Sequence, residues 1–259
     1  MKTLYESILD TNELVDDLDK SIKQQIKDFL KTNFKGTYKV STKPNSAGKY
    51  EVSSKGDIEI ENRKITSFTN NLFVWTEVSG NFYSGNCNSL TSLKGAPEKV
   101  GGHFHCNNCH SLTSLEGAPK KVGGDFYCGN CNSLTSLKGA PEKVGKRFNC
   151  INCHSLTSLE GAPKKVGGDF YCNFCDSLIS LEGAPKKVDR DFSCAGCNSL
   201  KSLEYAPEKV GRDFSCDRCG SLTSLKGAPE KVGGDFSCGK QFTKKDVKKV
   251  SNVKGEIYR

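Results

Sequence analysis

Between Asn81 and Gln241 the apolar residues fall on places that return every 22 residues. One copy runs from Val122 to Lys143, with Val122, Phe126, Cys128, Cys131, Leu134, Leu137 and Pro141 as its recurring apolar places. The phenylalanine returns at Phe82, Phe104, Phe126, Phe148, Phe170, Phe192, Phe214 and Phe236 without a slip. A fixed period of this size marks a stacked array, in which each unit buries its apolar side against its neighbours. Phe and the first Cys of a unit are two apart, so they share one face of a short strand and the residues between them face the other way. The Gly-Ala-Pro segment leaves no room for a long helix, so the back of each coil should be extended or turn-like. Strands stack about 4.8 Å apart, which turns every apolar place into a ladder.

The ends break this rhythm. Residues 12–34 predict an amphipathic helix, with Leu14, Val15, Leu18, Ile22, Ile26, Phe29 and Leu30 on one stripe. Thr11 or Asn12 suits its start and Gly36 its end. Such a helix would cover the open apolar end of the first unit, as an array requires. Alternatively, residues 1–10, with Leu4, Tyr5, Ile8 and Leu9, form a separate short docking helix. Residues 36–54 predict a β-hairpin, with Tyr38 and Val40 alternating outward, a turn at Pro44–Gly48, and Tyr50 and Val52 on the return. Ile58 and Ile60 then stand where later units have Phe and Cys, a worn first copy. At the far end Thr243 caps a short helix reaching Val250, and Ile257 lies on a closing strand. The expected organisation is a helix-and-hairpin cap over 1–55, a repeat array over 56–242 and a C-terminal cap over 243–259. About ten short strands are expected, led by Ile58, the eight phenylalanines and Ile257.

Composition narrows the class. Only 35% of the 259 residues are hydrophobic, low for a globe but suited to a core one residue-layer deep. No apolar run approaches the ~20 residues that span a bilayer, and the first residues hold no secretory h-region. A cytoplasmic location, with no membrane partner, is therefore expected. The net charge of +8 is a weak nucleic-acid signal. The 14 cysteines are many for a chain without a secretion signal. They form six Cys-x-x-Cys pairs, and successive pairs have zinc-ribbon spacing, so that Cys106, Cys109, Cys128 and Cys131 would form one four-thiolate site. Both cysteines also fall on inward places, where a free cysteine acts as a small hydrophobe. Packing explains the spacing without metal and is preferred, so no cofactor is expected. A zinc-binding repeat protein is the alternative.

Aligned on Phe104, the unit reads Phe104-x-Cys106-x-x-Cys109-x-x-Leu112-x-x-Leu115. It resembles the leucine-rich repeat in its variant with cysteine at the asparagine/cysteine place. The Leu-Thr-Ser-Leu segment with a nearby proline is similar to the short repeats of bacterial effector proteins and to arrays encoded by phages and prophages. The first consensus leucine is missing; Gly101 stands there, with Val100 one place earlier. The resemblance covers roughly residues 56–242. It implies an α/β-class leucine-rich-repeat solenoid, here mostly β, with a curved parallel sheet on its concave face.

On that face the residues before each Phe are Asn81, His103, Asp125, Arg147, Asp169, Asp191, Asp213 and Asp235. Those after it are Tyr83, His105, Tyr127, Asn149, Tyr171, Ser193, Ser215 and Ser237. One half is aromatic, extended by Phe174, and the other acidic and small. Exposed aromatics make good binding anchors, and stacked like charges suggest a basic partner. The other face carries one lysine per unit from Lys99 to Lys231, read as a solubilising edge rather than a nucleic-acid site. No P-loop, Ser-His-Asp order or paired buried carboxylate stands out, and the pair His103 and His105 is weak evidence for a metal. The expectation is a non-enzymatic scaffold binding a protein partner. Its anchors are Tyr83, His103, His105, Tyr127, Tyr171 and Phe174, with Asp169, Asp191, Asp213 and Asp235 steering a basic partner. A structural component of a phage particle is the remaining alternative.

Overall fold

The computed structural model describes residues 4–68 and 70–259, with side chains described from Val15 onward. It is a mostly β solenoid in which the 22-residue unit makes one coil. The first elements are α1 (Leu4–Asn33), β1 (Phe34–Gly36), β2 (Lys39–Val40), β3 (Tyr50–Ser54), β4 (Ile58–Ile60) and β5 (Phe73–Val78).

An eleven-stranded sheet runs the length of the coil. It starts with β1 and β4, continues through the two- or three-residue strands at each repeated phenylalanine, and ends at Ile257–Tyr258. Pairing within the array is parallel and in register, Phe126 lying beside both Phe104 and Phe148. The rings at these places are fully buried and stack at 4.9–5.9 Å between centroids. Burying one such ring contributes about 1.5–3 kcal/mol. Both leucines of each unit are buried beside them.

The missing consensus leucine turns out to mark a second ladder. Each Lys-Val pair forms a two-residue strand with valine buried and lysine exposed. These strands make two separate sheets. One has seven strands and runs from β2, β3 and β5 to Lys165–Val166; the other has four and starts at Lys187–Val188. Glycine after the valine permits this stacking. The amides of Gly101, Gly123, Gly145, Gly167, Gly211 and Gly233 donate to the valine carbonyl of the coil before, at 2.8–3.0 Å. A β-carbon on any of these glycines would come closer than 3.0 Å to the preceding coil's backbone oxygen.

The expected hairpin is present as antiparallel β2 and β3. The ten expected parallel strands are all found, and β1 adds an eleventh, antiparallel to β4. The helix stops at Asn33, one residue before the expected end at 34, because Phe34–Gly36 pairs with β4. At its other end α1 runs unbroken from Leu4, so the expected start at Thr11 or Asn12 and the separate docking helix over residues 1–10 are both corrected. No glycine or proline interrupts this stretch, and Thr11 and Asn12 are weak helix formers rather than breakers. The side chains of Leu4, Tyr5, Ile8, Leu9 and Leu14 lie outside the described residues. Ile22, Ile26, Phe29 and Leu30 close the open end of the core, where Phe29 and Phe34 meet Phe73, Trp75 and Phe82. Val15 and Leu18 remain exposed, so only the C-terminal half of the stripe packs. At the other end Thr243 and Asp246 form a capping box on the helix Lys244–Val250, which buries Val247. Among the described residues no helix is long and apolar enough to cross a membrane.

Candidate functional site

The residues flanking each phenylalanine form two rows on the outer face of the long sheet, because strand neighbours alternate sides. Tyr83, His105 and Tyr127 sit directly beside one another, with ring centroids 5.0 and 4.6 Å apart. All three are half-buried. Burial lowers the His105 pKa below its ordinary value, which keeps the ring neutral at pH 7. His103 packs edge-on against it at 6.1 Å. Asn149 interrupts the aromatic row. Beyond it lies Tyr171, with the Arg147 guanidinium 5.3 Å from its ring centre. Burial, with Asp169 and Asp191 nearby, pushes the Tyr171 hydroxyl up to about 12.

The second row is a hydrogen-bonded ladder. Asp57 Oδ1 accepts the amide of Asn81 at 2.7 Å, and Asn81 Oδ1 accepts that of His103 at 2.7 Å. Asp125, Asp169, Asp191, Asp213 and Asp235 do the same for the following coil, at 2.7–3.4 Å. His103 Nδ1 lies 3.0 Å from the Asp125 amide and 3.1 Å from its carboxylate; the ladder register makes it the acceptor of the amide. Each acidic residue therefore satisfies a backbone donor, a role that the outward pattern did not reveal. One oxygen of each carboxylate is committed to it.

Arg147 interrupts this ladder, since it has no acceptor to offer. Its Nε and Nη2 instead donate to Asp169 Oδ2 at 3.2 and 3.0 Å, and Arg190 Nε lies 3.4 Å from Oδ1. Asp169 is only 3% exposed, which corrects its expected place on the open surface. Asp191 lies 3.8 Å from Arg212 and accepts the Tyr171 hydroxyl at 3.2 Å. Asp213 and Asp235 keep their second oxygen without a side-chain partner among the described residues.

Phe174 lies apart from the aromatic row, with no ring contact to Tyr171 among the described residues. It occupies a turn where Asn86, Asn108, Asn130 and Asn152 also hold a left-handed backbone, at φ 55 against their 56–61. The asparagines bond side chain to side chain from coil to coil at 2.8 Å. Phenylalanine gains no such bond, is 42% exposed and bears the strain of that backbone. Its ring lies where a β-carbon on Gly196 would stand, so the glycine of the next coil makes room for it.

All 14 cysteines are buried and free. The second thiol of a unit donates to the backbone of the coil before, Cys131 Sγ to Cys106 O at 3.1 Å and Cys153 Sγ to Cys128 O at 3.2 Å. Cys128 donates to Asn149 O at 3.4 Å. Burial pushes Cys131 up to about 12 and Cys106 and Cys128 well above the usual thiol range. Cys109, Cys128 and Cys131 thus serve as neutral donors and core filling, and Cys106 as core filling. Among the described residues no three His, Cys, Asp or Glu side chains converge as metal ligands. No family model matches the chain, and no curated protein or solved structure does.

Proposed function

We propose that this chain is a leucine-rich-repeat-type recognition scaffold, non-enzymatic and cytoplasmic, that binds a protein partner on the outer face of its long sheet. One observation carries the reading: Tyr83, His105 and Tyr127 form a contiguous half-buried ring row that the core does not use. Inward places keep Phe, Cys and Leu almost without change, while outward places vary from coil to coil. Two tyrosines around a neutral imidazole present apolar area together with hydrogen-bonding tips, the mixture favoured at binding hot spots. Tyr171 under Arg147 adds a second anchor, and Phe174 a third, separate one. Steering of a basic partner falls to Asp213 and Asp235, because Asp169 is already neutralised by two arginines and Asp191 is engaged by Tyr171 and Arg212.

The test compares the intact chain with the variant Tyr83→Ala/Tyr127→Ala by affinity purification from its native cell. The variant should lose a specific co-purifying protein while its Tm stays within a few degrees of the parent. Retention of the same protein at the same yield would refute the reading.

A further inference from the structure

α1 is longer than the core end it closes. Its array-facing side begins at Ile22, which packs with Ile26, Phe29 and Leu30 on the buried cluster. Lys23 donates to the Thr42 carbonyl at 2.6 Å, and among the described residues none before Ile22 bonds to the array. Val15 and Leu18 are 63% and 62% exposed. They lie seven and four residues before Ile22, and so on the same side of the helix. The sequence continues this row. Leu4, Ile8, Val15, Leu18 and Ile22 fall on the alternating four- and three-residue places of a helix–helix seam, with Thr11 as its one polar member. The places flanking the seam hold Tyr5, Ser7, Asn12, Leu14, Asp19 and Ser21, with a single charge among them. Glu6, Asp10, Glu13, Asp16 and Asp17 fall on the far side. An apolar row backed by lysine would suit an anionic lipid surface. This row is backed by acids instead, and its edges carry almost no charge to repel a like helix.

We propose that the overhang of α1 pairs with that of a second copy of this chain, the two helices running antiparallel. The direction follows from the array. It fills the seam side of α1 from Ile22 onward, the space that a parallel partner helix would need. An antiparallel helix leaves that space free and carries its own array past the first turn of α1. The register follows from matching the two kinds of seam place. It sets Leu4, Ile8 and Thr11 of one copy opposite Ile22, Leu18 and Val15 of the other, and the match is the same with the copies exchanged, as a two-fold contact requires. A slip of seven residues one way leaves Leu18 beyond the overlap, and the other way drives the second helix into the array. The overlap from Leu4 to Ile22 is about 27 Å long at 1.5 Å per residue. Such a contact is small beside a permanent interface, so the dimer forms and parts with concentration. The pairing does not rest on the ring row of the long sheet.

Sedimentation velocity of the full chain, from low micromolar to submillimolar concentration, is the test. A monomer–dimer equilibrium with no larger species is expected, because a two-fold contact closes on itself. Val15→Lys/Leu18→Lys should weaken it at least about a hundredfold, since each lysine enters the seam twice. Its Tm should match the parent, because both places are exposed in the single chain. Asp16→Lys/Asp17→Lys, on the far side, should leave the dimer intact. Direction is read with Ile8→Cys and Leu18→Cys chains and a short bismaleimide, the native thiols being buried. Each chain alone should give no covalent dimer, and their mixture should. A monomer at every concentration, a dimer that survives Val15→Lys/Leu18→Lys, or covalent dimers from either cysteine variant alone would overturn the proposal. So would a chain that stays monomeric and co-sediments with phosphatidylcholine vesicles, which would give this face to a lipid surface.

Discussion

Phe148→Ala tests the stack at its middle. Phe148 is fully buried, with ring centroids 5.5 Å from Phe126 and 5.1 Å from Phe170. Truncating a buried phenylalanine costs about 3–5 kcal/mol, and each ring pair accounts for about 0.5–1.5 kcal/mol of that. Phe236 has one ring neighbour, Phe214 at 4.9 Å, and an isoleucine strand on its other side. Phe236→Ala should therefore cost about 0.5–1.5 kcal/mol less, by the one ring pair it lacks. The larger effect of the central change is on cooperativity, because a solenoid is held by contacts between neighbouring coils. Urea unfolding would be followed by circular dichroism, which reports the whole chain, and by fluorescence of Trp75, the single tryptophan, which lies in the N-terminal aromatic cluster. The two transitions should coincide in the parent and separate in Phe148→Ala, Trp75 surviving to higher urea. Coincident transitions with a loss below about 1 kcal/mol would refute the nearest-neighbour account, since that is an average change for any site.

Two further outcomes follow from the polar ladders and the thiols. Asp213→Ala strands the Asp235 amide and should cost about 1 kcal/mol in urea unfolding, whereas Asp213→Asn should cost little, because Asn81 already serves the same place with an amide oxygen; equal losses would rule out the ladder role. Burial raises Cys106, Cys128 and Cys131 above the ordinary 9.0, Cys131 to about 12. A thiol raised in the folded chain contributes stability that is complete below pH 9 and is lost as pH climbs from 9 toward 12. Tm should fall steeply over that window and less steeply in Cys106→Ala/Cys128→Ala; an unchanged slope would contradict the assignment.

The periodic places were readable because one strand's alternation and one repeat length decide them locally. Phe126, Cys128, Leu134 and Leu137 point inward for the same reason in every coil, and Thr243 with Asp246 announces its helix within four residues. The candidate site was readable only as a pattern of outward residues. That Tyr83, His105 and Tyr127 stack follows from the shared register. That the neighbouring carboxylates accept amides does not, because each bond joins residues a full coil apart and depends on how closely the coils approach.

The amino-acid order alone determined the solenoid, its inward ladders and its closing strand, since stacking identical units admits one economical arrangement. Contacts between distant parts decided the rest. Phe34 leaves its helix because β4 offers it a partner strand, Val15 and Leu18 stay exposed because Ile22, Ile26, Phe29 and Leu30 already cover the core's open end, and Asp169 is buried because Arg147 and Arg190 reach it from other coils. The break in the second ladder shows the difference most sharply. It divides between Lys165–Val166 and Lys187–Val188 although every coil of the array carries the same Lys-Val pair, so the division belongs to the stacked fold.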